Sequence, residues 1–192
     1  MQKETSLPVK QAQKLSVIHQ SALRLLNLIN QILEFRKTET QNKKLCVSKG
    51  NIAPLIYEIG LKYKELNQKT KIDFQIQIEK EEMLLFFDKE IITIVLDNLI
   101  SNAIKYTEQG RVTLSLYQTM RNEVAYTEIK VSDTGYGISA EALPHIFDRY
   151  YQESGKHQAS GTGIGLALVK NLVTLHEGEI RAESVQNEGS TF

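Results

Sequence analysis

Asn98-Leu-Ile-Ser-Asn102-Ala-Ile-Lys105-Tyr106 places three polar side chains at helical spacing. At about 100° per residue, Asn98, Asn102 and Lys105 fall within an arc of about 60°. Ile92, Leu96, Leu99 and Ala103 occupy the neighbouring stripe and face a core. Asp88 is of the residue type that caps helices, so the pattern predicts a helix from there to about Tyr106. Carboxamide oxygens can ligate a hard cation such as Mg²⁺, and an ammonium can meet a phosphate. Taken alone, a solvated polar face accounts for the stripe equally well.

Downstream, Gly110 starts a predicted hairpin over 111–118 and 124–131 that turns near Arg121-Asn122. Thr127, Ile129 and Val131 share one face of its second strand, and Asp133 continues that phase. A carboxylate at the end of an apolar face is costly without a donor. The exocyclic amine of a purine is one such donor, and an Arg or a backbone N–H is another. Gly135 and Gly137 then allow close backbone approach to a flat ligand. Gly161-Thr162-Gly163-Ile164-Gly165 opens a helix to about His176 with Leu166, Val169 and Leu172 on one side. Glycines at a helix start expose N–H groups where the helix dipole is positive, which makes an anion site suited to a polyphosphate. It is not the dinucleotide fingerprint, for no strand immediately precedes it, nor a P-loop, for no Gly-Lys-Ser/Thr follows.

Upstream, residues 45–48 and 83–87 read as strands, and residues 71–78 alternate cleanly at Ile72, Phe74, Ile76 and Ile78. A helix over 52–66 begins at Asn51 and Pro54. Residues 179–184 read as a further strand, and Thr191-Phe192 begins one more. Helices and hairpin-linked strands are segregated, which predicts an α/β fold, a two-layer sandwich with a mixed sheet. Before it, Leu15, Ile18, Ala22, Leu25, Ile29 and Ile32 alternate by three and four, widened by Leu26, Leu28, Leu33 and Phe35. That broad stripe suits a bundle. Residues 1–14 are too polar and short to cover it. The face therefore needs an upstream helix, another copy of the chain, or the globular part itself. Residues 38–44 are polar and read as a linker.

The chain has 192 residues, with 23 Lys+Arg against 23 Asp+Glu. Its length suits one domain plus an appendage. Hydrophobic residues at 41% and charged ones at 24% exclude a disordered chain. Balanced charge argues against nucleic acid as a partner. No apolar run is long enough for a bilayer span, so no membrane contact by this chain is expected. Neither a signal peptide nor a cysteine framework is present, Cys46 being the only cysteine, and this favours a cytoplasmic setting.

These segments resemble sensor histidine kinases of two-component systems. The stretch from Asn98 to Tyr106 resembles their N box. Asp133-Thr-Gly135-Tyr-Gly137-Ile138 resembles the first glycine box, Ile146-Phe147-Asp-Arg149-Tyr-Tyr the F box, and Gly161-Thr162-Gly163-Ile164-Gly165-Leu166 the second glycine box. Gly189-Ser-Thr191-Phe192 is similar to the closing motif, and the order is the family's. Residues 22–37 resemble the second helix of the dimerisation hairpin, in wording close to hybrid regulators of Bacteroides-type bacteria.

The resemblance implies the fold of the histidine kinase, chaperone and topoisomerase ATPases, with ATP and Mg²⁺ as cofactors. Asn102 would coordinate the metal, Asn98 and Lys105 would hold phosphates, and Tyr106 would flank the nucleotide. Asp133 would accept from the adenine amine, with Gly135, Gly137 and Ile138 passing the purine. Residues 139–160 would form a lid latched by Phe147 and hinged by Gly161, Gly163 and Gly165. Thr162, Ile164 and Leu166 would lie along the phosphates, and Thr191 would complete the adenine contacts. Asn98, Lys105 and Arg149 would be the catalytic side chains of phosphoryl transfer. Implied partners are a second copy, through the N-terminal helix, and a response-regulator receiver domain, with the parent anchored in a membrane.

The family's acceptor box, a His followed by an acid and then a Pro, is not matched. His19 is followed by Gln20-Ser21-Ala22-Leu23, and His145, His157 and His176 fall in or beside the nucleotide domain. The expectation is a piece comprising a partial dimerisation domain (1–40) and a catalytic domain (41–192) that stops within its last strand. Such a piece binds ATP without phosphorylating itself. Chaperone and topoisomerase ATPases carry a glutamate near the position of Asn98. An amide cannot act as general base, so fast hydrolysis is disfavoured.

Overall fold

The computed structural model describes residues 9–40, 43–68, 71–121, 123–152 and 162–192. Its elements are α1 (Val9–Glu39), β1 (Ser48–Asn51), α2 (Ile52–Leu66), β2 (Ile72–Ile78), β3 (Leu84–Phe87), α3 (Lys89–Lys105), β4 (Gly110–Arg121), β5 (Val124–Asp133), α4 (Gly165–Leu175), β6 (Glu183–Val185) and β7 (Gly189–Thr191). A 3₁₀ turn at Leu143–His145 lies in the loop before α4. The expected turn residue Asn122, the glycine Gly161, His157 and part of the expected lid lie outside the described residues.

Alternation decides which face of the sheet is covered. Phe74 of β2, Val112, Leu114 and Leu116 of β4 and Val131 of β5 are buried, and their register places them on one face. Ile56 of α2, Leu96 and Ile100 of α3, and Leu168 and Leu172 of α4 join them in a single core. The sheet order is β2-β4-β5-β7-β6, parallel only between β2 and β4. A separate antiparallel ribbon pairs β1 with β3. The result is the two-layer sandwich with a mixed sheet that the sequence predicts.

Caps fix the helices. The Asp88 carboxylate accepts from the N–H groups of Glu90 (3.0 Å) and Ile91 (3.1 Å) at the start of α3 and from Cys46 (2.8 Å). Its own N–H donates to Nε2 of His176 at 3.0 Å, tying the start of α3 to the end of α4. Burial pushes the Asp88 carboxyl up, but the three backbone donors, helped by Lys43, outweigh it and hold it below the usual carboxylate range. Asn51 caps α2 through the N–H of Ala53 and also takes the N–H of Met83.

Several expected boundaries move; β4 and β5, for instance, run to Arg121 and Asp133 instead of 118 and 131. The first strand begins at Ser48 rather than Leu45, since its ladder runs from Ser48↔Phe87 to Asn51↔Leu84 and residues 45–47 have no strand partner among the described residues. The strand expected over 179–184 is Glu183–Val185, because its neighbour β7 offers only Gly189–Thr191 for pairing. Helix α1 continues through Thr38 to Glu39, into the expected linker. The strand read at Thr191 is β7, paired on both sides, and Phe192 exchanges two further hydrogen bonds with Val131.

Leu15, Ile18, Leu25, Leu26, Ile29, Ile32 and Leu33 of α1 are exposed. The C-terminal half meets the sandwich, where Phe35 is buried and Leu28 packs against the core. No helix among the described residues is long and apolar enough to cross a membrane.

Candidate active site

Helix α3 forms the spine of the site. At its C-terminal end, the carbonyl of Tyr106 accepts from the N–H of Tyr136, which draws the loop after β5 against the helix. A Cβ on Gly135 would stand 2.2 Å from that carbonyl, so only glycine passes there. Further back along α3, a Cβ on Gly165 would stand 2.9 Å from Oδ1 of Asn98, so the start of α4 abuts Asn98. From Asn98 to Tyr106 the helix rises about 12 Å. It joins a loop following a carboxylate to a helix N-terminus, with Asn102 between them.

Asp133 stands opposite Val112 on the helix-covered face of the sheet. Its Oδ1 accepts from the N–H of Gly135 at 2.8 Å, and the N–H of Ser190 also supports the carboxylate. Burial raises its carboxyl above the usual range, and the two N–H groups offset this in part. Of the donors expected for this position, the backbone N–H is the one the structure supplies. Gly137 adopts φ +64 against the carbonyl of Val185, a conformation that L side chains rarely take. The N–H of Ile138 donates to Oγ of Ser184 at 2.8 Å. Thr191 donates from Oγ1 to Ser132 at 3.0 Å, one residue from Asp133.

Asn102 is half-buried and its amide has no hydrogen-bond partner among the described residues. The Lys105 ammonium lies 3.1 Å from the Tyr106 hydroxyl and over that ring. Asn98, in contrast, is fully engaged: Nδ2 donates to the carbonyl of Ile94 at 2.8 Å, and Oδ1 accepts from Nε2 of Gln31 at 3.1 Å. Thr162 donates to Oε1 of the same Gln31 at 3.3 Å and accepts from the N–H of Ile164. Ile164 is buried at the start of α4, and Leu166 packs against the core. Gly163, at φ +67, takes the Tyr150 N–H on its carbonyl at 2.8 Å, closing the two ends of the loop on each other. Phe147 meets Phe192 edge-on at 6.5 Å between ring centroids.

The structure therefore gathers Asn98, Asn102, Lys105 and Tyr106 along one helix, with the 135–138 loop at one end and residues 162–166 at the other. The Arg149 guanidinium lies 4.5 Å over the ring of Phe35 on α1. Gln31 carried no signal in the sequence, for a glutamine in an amphipathic helix acquires meaning only from what it touches. Ser190 and Ser184 likewise act through strand pairing that no local pattern foretells.

The donor set fits a magnesium-bound adenine nucleotide. A carboxylate with spare acceptor capacity suits the base, an unengaged amide oxygen suits the metal, and a glycine-opened helix N-terminus suits the phosphates.

Residues 87–192 match the model of the histidine kinase-, DNA gyrase B- and HSP90-like ATPases. Over 93% of its length the chain is 34% identical to histidine kinase P4 of Formosa agariphila, and it spans 13% of that protein. Full-length ShkA in complex with AMPPNP superposes with a TM-score of 0.81 at 23% identity, covering 99% of this chain and 39% of that one. ThkA in complex with the response regulator TrrA gives 0.72 at 23% identity, covering 99% and 52%. At that identity these two likenesses concern the fold. With more than half of its residues inside the matched region, the chain belongs to the histidine kinase-, DNA gyrase B- and HSP90-like ATPase family.

Proposed function

We propose that residues 41–192 are the ATP-binding kinase domain of a sensor histidine kinase, and that α1 is one helix of its dimerisation module. The γ-phosphoryl of ATP goes to a histidine on a dimerisation helix and then to an aspartate of a response regulator. The observation that carries this reading is the continuity of α3 between the Asp133 loop and the start of α4, with Asn102 unengaged between them.

Each residue has a definite task. Asp133 accepts from the exocyclic amine of adenine, beside the passage left by Gly135, Gly137 and Ile138. Asn102 holds the magnesium ion. Asn98, Lys105 and the N–H groups of residues 163–166 orient and neutralise the phosphates. Magnesium ATP, when bound, supplies the transferable phosphoryl group. Tyr106 flanks the nucleotide, Thr191 braces the adenine side, Phe147 and Phe192 close the lid, and Arg149 meets developing negative charge. Asn98 has no basic atom to deprotonate water, which favours a protein acceptor over hydrolysis. The exposed apolar face of α1 supports pairing with a second copy, and the ThkA complex supports a receiver domain as partner. A cytoplasmic position in a membrane-anchored parent accords with this assignment.

The test is thermal melting with and without Mg-ADP. The nucleotide raises the Tm of the wild-type chain. In Asp133→Asn the shift disappears, since loss of a hydrogen bond to a charged acceptor costs about 1.5–3 kcal/mol. The sign for the nucleotide-free fold is opposite. A carboxyl raised by burial stabilises below its unfolded pKa, and that contribution is lost as pH rises through the folded value. At neutral pH the ionised Asp133 is therefore a cost, and the Asn variant melts at the same temperature or higher. A full nucleotide shift in Asp133→Asn would reject the base contact.

A further inference from the structure

Helix α1 reaches into the phosphate end of the site. The Gln31 carboxamide donates to Oδ1 of Asn98 and accepts from Oγ1 of Thr162, bridging α3 to the segment that opens α4. Its Nε2 lies 4.0 Å from where a Cβ on Gly165 would stand, beside the first N–H groups of α4. One turn on, Phe35 is buried and carries the Arg149 guanidinium on its ring. Lys43 then ties Glu34 of α1 (2.9 Å) to Glu90 of α3 (3.1 Å). Leu28, Gln31 and Phe35 follow helical spacing, so one narrow face of α1 makes these contacts. Asn98 and Arg149, both assigned to the phosphoryl group, are thus held by α1.

We infer that Gln31 is a latch, a positioning residue through which α1 docking and nucleotide loading exclude each other at Asn98 and Thr162. The inference rests on the nucleotide assignment above. Gln31 occupies polar atoms of Asn98 and Thr162 that the phosphates need, so loading the nucleotide breaks the bridge and loosens this part of α1. By linkage, movement of α1 changes nucleotide affinity by the same factor that the nucleotide changes docking. A helix that carries dimer contacts on its exposed face then reports its position to the nucleotide site through one amide.

Calorimetric titration with Mg-AMPPNP on the wild-type chain and on Gln31→Met, a change that keeps side-chain length, tests this directly. Two neutral hydrogen bonds are removed, so the variant binds about five- to tenfold more tightly. Amide hydrogen exchange supplies the second readout. In the wild type, saturating nucleotide accelerates exchange over residues 28–39. In the variant that segment already exchanges faster without nucleotide and changes little on binding. Equal affinity in both proteins, with residues 28–39 insensitive to nucleotide, overturns the latch while leaving the nucleotide site intact. Binding to neither protein overturns the nucleotide assignment and the latch with it.

Discussion

Asn98 and Asn102 lie one turn apart on the same face of α3, yet their side chains are in different states. Both polar atoms of Asn98 are occupied, by Ile94 and Gln31, while Asn102 has no hydrogen-bond partner among the described residues. An amide that stabilises nothing in the fold can be replaced without harm to it. We therefore expect Asn102→Ala to keep its Tm within about 1 °C of wild type and to lose about tenfold or more in Mg²⁺-dependent nucleotide binding. Binding in EDTA should change little. Equal losses with and without magnesium would reject the metal-ligand role. Residues of this kind were legible in the sequence because the spacing of two amides, a carboxylate and a glycine cluster each limits the chemistry available. Neither Gln31 nor the contact of Arg149 with Phe35 was legible, because both depend on where α1 lies.

Among the elements, α3 shows how local signals fix a boundary. Asp88 gives the helix its start, and three backbone N–H groups converge on its carboxylate. Asp88→Ala leaves those donors without their acceptor and should cost about 2 kcal/mol, seen as a drop in Tm of about 4–8 °C. The lowered carboxyl pKa sets the pH sign. Its contribution is complete above the unfolded pKa and is lost as pH falls through the folded value, below the usual carboxylate range. The difference in Tm between wild type and Asp88→Ala should therefore shrink on strong acidification. A gap that persists at the acid limit would remove the charge from the explanation. The limits of α2 and α3 were readable from caps and periodicity. Strand limits at β1 and β6 were not, because Leu45 and Val47 have strand-forming side chains but the partner ladder begins only at Ser48.

For the whole molecule, the candidate site lies where three parts distant in sequence meet: the C-terminal half of α1, the length of α3, and the described residues between β5 and α4. The segregated order of helices and strands made the two layers predictable. The seam between α1 and the sandwich was not, since Leu28 and Phe35 read as part of a bundle stripe and Gln31 and Glu34 carried no signal. That seam lies beside the exposed apolar face of α1. Adenine recognition by Asp133 is central to the proposed function. Guanine presents a carbonyl oxygen where adenine presents its amine, and a carboxylate repels it. The most direct measurement is isothermal titration of the chain with Mg-AMPPNP and, separately, with Mg-GMPPNP. We predict one saturable adenine site per chain and guanine binding weaker by about tenfold or more. Equal affinities, or no heat with either ligand at protein concentrations well above micromolar, would contradict it.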